Sequence, residues 1–111
     1  MQLQISFHGV EQCDTLQKAI QQRATKLARF HDHIISCRVV VELAARHQRH
    51  GNEYNVRLDI KVPGAEIVAN QEGDKDLQVA LRDAFDAARR KLEDHARRQR
   101  GDVKQHSTPG T

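Results

Sequence analysis

Three structural signals follow one another in residues 63–93, PGAEIVANQEGDKDLQVALRDAFDAARRKLE. Pro63 and Gly64 are residue types that favour a tight turn. The short apolar run after them predicts a strand over about residues 66–70, followed by a polar stretch. The rest of the segment repeats its apolar residues every three or four positions, which predicts a helix. One short piece of chain therefore joins a turn, a strand and a helix.

This helix is expected to pack through one face. Asp74 or Asp76 is predicted to cap its start, because either carboxylate can accept hydrogen bonds from the first free backbone N–H groups. The helix is predicted to continue to about Arg100 and to end at Gly101. Its apolar positions form a single stripe, and they are Leu77, Ala80, Leu81, Ala84, Phe85, Ala88 and Leu92.

Upstream of residue 63, alternating apolar residues predict three more strands. Residues 3–7 (LQISF), 34–43 (IISCRVVVEL) and 54–62 (YNVRLDIKV) place apolar side chains at every second position. This alternation is expected of strands with one buried face. Gly51 and Asn52 lie between the last two runs and predict an antiparallel hairpin.

A second amphipathic helix is predicted between the first two strands. Asp14 is its predicted cap, and it continues to about residue 31. Its stripe recurs at helical spacing and consists of Leu16, Ile20, Ala24, Leu27 and Phe30.

The element order is therefore β-α-β-β-β-α. This order predicts an α+β fold in which a four-stranded sheet carries both helices on one face. A length of 111 residues suits a single domain, which we place at residues 1–100. Residues 101–111 (GDVKQHSTPGT) have the composition of a disordered polar tail.

Composition favours a soluble cytoplasmic protein with a polyanionic partner. Eighteen Lys and Arg stand against fifteen Asp and Glu, which gives a net charge of +3 and a pI near 9.1. The sequence contains no signal peptide and no apolar run long enough to span a membrane. Cys13 and Cys37 lack CxxC spacing, and Cys37 is predicted to be a reduced, buried thiol.

Basic residues flank the apolar stripes of both predicted helices. One interpretation is that they bind phosphate, together with Arg46 and Arg49 of the hairpin loop, since guanidinium groups hold phosphate oxygens bidentately. The other is an ordinary solvated face, in which Asp86–Arg90 and Glu93–Arg97 form intrahelical ion pairs. Charge pattern alone leaves both open. The flanking residues are Lys18, Arg23, Lys26 and Arg29 on the first helix and Arg82, Arg89, Arg90, Arg97 and Arg100 on the second.

Other site classes find little support. All four aromatic residues, Phe7, Phe30, Tyr54 and Phe85, fall on predicted apolar stripes, which argues against a reader that stacks single-stranded bases. The histidine pairs His31/His33 and His47/His50 have no partners at structural-zinc spacing. No nucleophile–base or metalloprotease motif occurs. We therefore expect no enzyme activity, no metal, no cofactor and no small-molecule substrate.

In several sequence motifs the chain resembles the short ribosome hibernation-promoting factors, the family that includes ribosome-associated inhibitor A. The resemblance runs from Met1 to about His106. It is carried by MQLQI at the start, ATKLARFHDHI at residues 24–34, VVVEL at 39–43 and the whole of residues 63–93.

This resemblance implies a domain similar in outline to a double-stranded RNA-binding domain. It implies binding to the small ribosomal subunit through 16S ribosomal RNA, steric blocking of the mRNA channel and the A and P tRNA sites, and translation silencing in stationary phase or stress. It also implies that the chain lacks the C-terminal domain by which long members dimerise ribosomes.

By position, Arg23 and Lys26 match basic residues of the family's first helix, and Arg90 matches an arginine of its second. Arg82 and Ala87 depart from the family pattern. The predicted rRNA-binding set is Arg23, Lys26, Arg29, Arg82, Arg89, Arg90 and Arg97. Two alternatives remain at this point: a general double-stranded RNA-binding module, and a protein-interaction domain that does not bind RNA.

Overall fold

A computed structural model describes residues 1–47 and 51–107, and gives the backbone alone for residues 45–47 and 101–107. The predicted element order and α+β fold class are confirmed. Within the described residues, no helix is long and apolar enough to cross a membrane. The elements are β1 (Gln2–His8), α1 (Asp14–Phe30), β2 (Ser36–His47), β3 (Gly51–Val62), β4 (Ala65–Asp74) and α2 (Leu77–Ser107).

The four strands form one mixed sheet in the order β1-β2-β3-β4. β1 and β2 are parallel, an arrangement that needs a crossover, which α1 supplies. The pairs β2–β3 and β3–β4 are antiparallel, so the predicted hairpin is confirmed. Gly64 has a φ of 78°, a left-handed conformation that glycine adopts without strain and that the turn from β3 to β4 uses.

A single core lies between the sheet and the two helices. α2 packs on β3 and β4, and α1 contacts β1 and α2. Both helices therefore lie on one face of the sheet, as predicted. The core combines the inward side chains of the strands with both helical stripes; its fully buried large members are Ile20, Cys37, Val39, Val41, Val56, Leu58, Ile60 and Leu81.

The two cysteines are both free. Burial raises the pKa of the Cys37 thiol to about 11, and the negative charge of Asp59 acts in the same direction. The thiol is therefore protonated at neutral pH and packs as a small apolar side chain. The predicted burial of Cys37 is confirmed.

The two helices begin differently. The Oδ1 atom of Asp76 accepts hydrogen bonds from the backbone N–H groups of Gln78 (2.9 Å) and Val79 (3.3 Å), which makes Asp76 the cap of α2. The predicted capping role of Asp14 is wrong. Cys13 occupies the cap position of α1, and its side chain makes no capping hydrogen bond. Asp14 is already helical and acts only through the helix dipole.

Strand β4 is longer than the predicted 66–70. It extends to Asp74, which pairs with Tyr54 of β3 across a register shift. The backbone N–H of Gly73 donates to the Asn55 side chain (2.9 Å) beside that shift. The length of β4 is set here by its pairing with β3, and it could not be predicted from the apolar pattern of residues 66–70.

Helix α2 also passes its predicted end. The helix continues through Gly101 to Ser107, so Gly101 does not terminate it. A glycine inside a helix costs about 1 kcal/mol relative to alanine and ends the helix only where it turns left-handed. Residues 108–111 lie outside the described residues, and the division of the chain at residue 100 stays a prediction.

Two neighbouring isoleucines show where the alternation of β2 begins. The strand starts at Ser36, later than predicted. Ile34, in the preceding turn, is buried, whereas Ile35 is 52% exposed, although the alternation predicted over residues 34–43 places Ile35 on the same face as the buried Cys37 and Val39. The backbone N–H of Ile35 donates to the carbonyl of Lys61 (2.7 Å), and this bond fixes the orientation in which Ile34 points inward.

One lysine of α2 is bound to the edge of the sheet. The Nζ atom of Lys91 donates to the backbone carbonyl of Val68 in β4 at 2.6 Å. β4 is an edge strand, so this carbonyl has no neighbouring strand to bind it. Lys91 is therefore engaged away from the other basic residues of α2.

Candidate nucleic-acid interface

The side of α1 that faces away from the sheet is basic. The buried stripe from Leu16 to Leu27 points toward the core and leaves Lys18, Lys26 and Arg29 exposed. They border a shallow depression of about 550 Å³, here called the α1 depression. Among the described residues, no Asp or Glu lines it. Its lining consists of Lys18, Gln21, Gln22, Thr25, Lys26, Arg29 and Phe30.

A groove of about 570 Å³ separates α1 from α2, here called the interhelical groove. It brings Arg23 and Lys26 of α1 together with Arg89 of α2. Leu27 and Phe85 give it an apolar floor. Two carboxylates of α2 also reach it, so its α2 side carries less positive potential than its α1 side. The full lining is Arg23, Lys26, Leu27, Phe30, His31, Phe85, Asp86, Arg89 and Glu93.

Lys26 belongs to both of these sites. It therefore joins the α1 depression and the interhelical groove into one basic surface. Amide and hydroxyl groups of Gln21, Gln22 and Thr25 supply further hydrogen-bonding atoms. Cations mixed with such groups suit phosphate and ribose oxygens and carry no base-reading geometry.

The remaining predicted site residues lie apart from this surface. Arg97 lines a third pocket near the end of α2. The Nε atom of Arg82 lies 3.2 Å from Oδ1 of Asp83, and both side chains are partly exposed. Arg90 is exposed and lines none of the three sites. The seven predicted residues thus divide into a cluster of Arg23, Lys26, Arg29 and Arg89 and three separate arginines.

The intrahelical ion pairs of the solvated-face interpretation are not those that the structure shows on α2. Among the described residues, neither Asp86–Arg90 nor Glu93–Arg97 forms; Arg97 instead contacts Asp94, with Nη2 to Oδ1 at 2.8 Å. Asp86 and Glu93 both line the interhelical groove, on the flank that faces α1. They therefore lie close to the cations of the groove, and Arg97 uses Asp94 in place of Glu93.

The opposite side of the sheet has a different charge pattern. Its side chains alternate with the buried ones and face away from the helices, and we call this side the open face. Nε of Arg57 lies 3.0 Å from Oδ1 of Asp59 there, and a depression of about 280 Å³ mixes Arg38 and Lys61 with Asp59 and Glu66. Charges are balanced locally, which disfavours a polyanion. The charged members of the open face are Arg38, Glu42, Arg57, Asp59, Lys61, Glu66 and Glu72.

Phe30, like Ile35, is an apolar residue that the sequence pattern misplaced. It is 68% exposed at the end of α1, although it was assigned to the buried stripe. At 100° per residue it lies about 75° from the centre of the stripe formed by Leu16, Ile20, Ala24 and Leu27. This offset is visible in the sequence and would have predicted the exposure. The prediction that all four aromatic residues lie on apolar stripes is therefore wrong for Phe30.

Metal binding gains no support within the described residues. They contain no group of three or more His, Cys, Asp or Glu side chains arranged to hold an ion. Nε2 of His33 lies 3.4 Å from Oδ1 of Asp32, and both side chains are highly exposed. His50 and Arg49 lie outside the described residues. Arg46 lies in β2, and its predicted phosphate contact stays a prediction.

Comparison with known proteins agrees with this fold. The chain is 29% identical over 99 residues to a ribosome hibernation promoting factor of Azotobacter vinelandii, a match that covers 89% of this chain and 86% of that protein. The N-terminal domain of Protein Y from Thermus thermophilus superposes with a TM-score of 0.71 at 20% identity, over 86% of this chain and 99% of that domain.

A ribosomal subunit interface protein from Coxiella burnetii superposes with a TM-score of 0.62 at 19% identity, over 91% of this chain and 99% of that one. At such identities these two structures establish the fold alone. Residues 3–100 match the family described as sigma 54 modulation protein / S30EA ribosomal protein. That match spans nearly all of the described structure, and the chain belongs to this family.

Proposed function

We propose that this protein binds the small ribosomal subunit through 16S ribosomal RNA and silences translation in stressed or stationary-phase cells. The observation that carries the proposal is the α1 depression, where Lys18, Lys26 and Arg29 converge and where no carboxylate from the described part of the chain lies in the lining. Family membership supports the same conclusion, as does the similarity to a hibernation promoting factor.

The mechanism we propose is steric. The helices lie on a sheet with a single packed core, so the basic surface is held rigidly and loses little conformational freedom on binding. Lysine and arginine side chains contact phosphates in the RNA backbone and release counterions. The body of the domain then occupies the mRNA channel and the A and P tRNA sites. Blocking these sites needs no catalytic group, and we assign the protein no enzymatic role.

The direct test is sedimentation of the full chain with purified small subunits, together with inhibition of translation in vitro. We expect saturable binding near physiological salt, with an affinity that falls steeply as salt rises. Translation should be inhibited over the same concentration range. Absence of binding at physiological salt would contradict the proposal.

A second function, general binding of double-stranded RNA, is favoured by one observation: the interhelical groove offers cations on a rigid surface without any base-reading geometry. Competition separates the two functions. If plain duplex RNA displaces the protein from small subunits at concentrations similar to those of free subunits, general duplex binding is the better description. If a large excess of duplex is needed, recognition of the small subunit is specific.

A further inference from the structure

Phe30 lies where three concave regions of the surface meet. It borders the α1 depression, the interhelical groove and a larger pocket of about 780 Å³ beyond the end of α1. We call this last cavity the Phe30 pocket. With 68% of its surface exposed, the ring contributes little to the core, although a phenylalanine is usually retained for burial. A contribution to the stability of the core therefore does not explain why a phenylalanine occupies this position.

The Phe30 pocket has apolar walls and a basic rim. Ile34, Pro63 and Leu92 form part of the walls, and Arg97 and Arg100 lie on the α2 side. Its volume is within the range of about 300–1,000 Å³ typical of small-ligand sites. An open, partly apolar cavity that meets a basic surface suits a ligand with one flat apolar part and one anionic part.

The charges indicate where each part of such a ligand would lie. Asp32 and Glu93 also line the pocket, so a phosphate is disfavoured in its interior and a neutral group is favoured. Arg97 uses Nη2 to contact Asp94 at 2.8 Å, but a guanidinium has five N–H donors, which leaves others for a phosphate. The arrangement separates an apolar interior from cations at the rim.

We infer that the Phe30 pocket holds one unpaired nucleobase of the bound RNA, stacked on the Phe30 ring. This inference rests on the proposed function and names the part of the RNA that this surface selects. The π-face of a phenylalanine stacks on any base, so the site is indifferent to sequence but requires a base that is free of its helix. Phe30 borders both this pocket and the α1 depression that contains Lys26 and Arg29. An RNA backbone bound on α1 can therefore place a flipped-out base in the pocket.

The test uses three substitutions at one exposed position in the full chain. Phe30→Ala and Phe30→Leu remove the aromatic face, and we expect each to weaken binding to small subunits by about 5- to 150-fold, the usual effect of losing one base stack. Phe30→Trp should bind within about twofold of the parent. Ile35→Ala is the matched control, because Ile35 is also apolar and exposed (52%) but does not line the pocket. Circular dichroism verifies that each variant is folded.

The same Phe30→Trp variant gives an independent readout. The chain contains no tryptophan, so its fluorescence would report on this position alone. We expect quenching by an RNA duplex that contains one unpaired adenosine, and little change with the same duplex fully paired. Quenching with the bulged RNA alone supports base stacking.

Several outcomes would overturn the inference. If Phe30→Ala binds small subunits within twofold of the parent while Lys26→Glu binds weakly, the pocket is not a base site and the proposed function stands. If Phe30→Leu keeps full affinity, or if the F30W emission shifts to the blue without quenching, an apolar protein group occupies the pocket instead. If the parent does not bind small subunits, the proposed function fails, and the bulged duplex alone decides: quenching supports stacking, and its absence overturns it.

Discussion

On the helix side of the sheet, α1 carries four basic residues and one acidic residue; on the open face, three basic residues stand among four acidic ones. Both sides are polar and both contain depressions. They differ in where the carboxylates lie: on the open face they contact or adjoin the cations, as in Arg57–Asp59, whereas none of the described carboxylates lines the α1 depression. The α1 surface thus carries a surplus of positive charge, whereas the charges of the open face balance one another, and we expect only the α1 surface to attract a polyanion.

The largest expected effect tests whether the core lies on one side only. Leu58→Ala removes a fully buried side chain on the helix side and should lower the free energy of unfolding by about 2–5 kcal/mol. Val40→Ala, a half-buried position of the open face, should cost about 1 kcal/mol or less. Urea titration measures both. Equal losses would mean that the open face is also packed against something.

The next effect tests the difference in RNA affinity directly. Lys26→Glu reverses the charge shared by the α1 depression and the interhelical groove. It should weaken binding to small subunits by about 10- to 100-fold, because a charge-assisted contact becomes a repulsion.

Lys61→Glu makes the same charge change on the open face and is the control. It should leave affinity within about twofold of the parent, and only Lys26→Glu should reduce the slope of log affinity against log salt, by about one. Equal weakening by both variants would show that net charge, and not the α1 surface, controls binding.

A smaller effect compares the two helices within the helix layer. Asp76→Ala removes the acceptor for two backbone N–H groups at the start of α2 and should cost about 1 kcal/mol of stability. Asp14→Ala removes no capping bond and should cost about 0.5 kcal/mol or less through the helix dipole. Thermal or urea unfolding would distinguish them. A larger loss for Asp14→Ala would contradict the capping assignment.

The smallest effect concerns arginines that already have a partner. Asp94→Asn weakens the contact with Arg97 and should tighten binding to small subunits by about 2- to 5-fold, since an exposed ion pair is worth little and its loss makes the cation available. Asp59→Asn removes an equal charge beside Arg57 on the open face and should leave affinity unchanged. Binding measured at one salt concentration compares the two variants. Tightening by both would favour a long-range effect of net charge.

The fold could be predicted because two periodicities run almost unbroken through the chain. Val39 and Val41 alternate, Leu81 and Phe85 recur at helical spacing, and all four are buried. Spacing of this kind reports directly which side of an element meets the core. The element order and the placement of both helices followed from it.

The errors arose where neighbouring structure overrides local pattern. Ile35 is apolar, and hydrophobicity alone assigns it to the interior, but the turn between α1 and β2 orients Ile34 inward in its place. Phe30 is a different case, because its offset from the stripe of α1 was already present in the spacing. Asp94 and Glu93 are both within helical reach of Arg97, and spacing alone does not choose between them; Glu93 lines the interhelical groove and Asp94 makes the contact. Contacts between elements carry this information, and sequence spacing does not.

Part of the candidate site was accessible from sequence for the same reason. Lys26 and Arg29 lie opposite the stripe of α1 and could be assigned to its exposed side. That Arg89 of α2 joins Arg23 and Lys26 in one groove depends on how the two helices pack together. The resemblance to a known family added weight to Arg23 and Lys26 but gave no sign of this convergence.

The hydrogen bond from Lys91 to Val68 has a consequence for solubility. Edge strands expose unpaired carbonyl groups, and a strand from another molecule can pair with them and begin to aggregate. A strand that approached β4 at Val68 would have to displace the ammonium group of Lys91 from the carbonyl. The displaced charge would then lie beside the backbone of the incoming strand. We therefore expect Lys91 to disfavour intermolecular strand pairing at this edge of the sheet when the protein is concentrated.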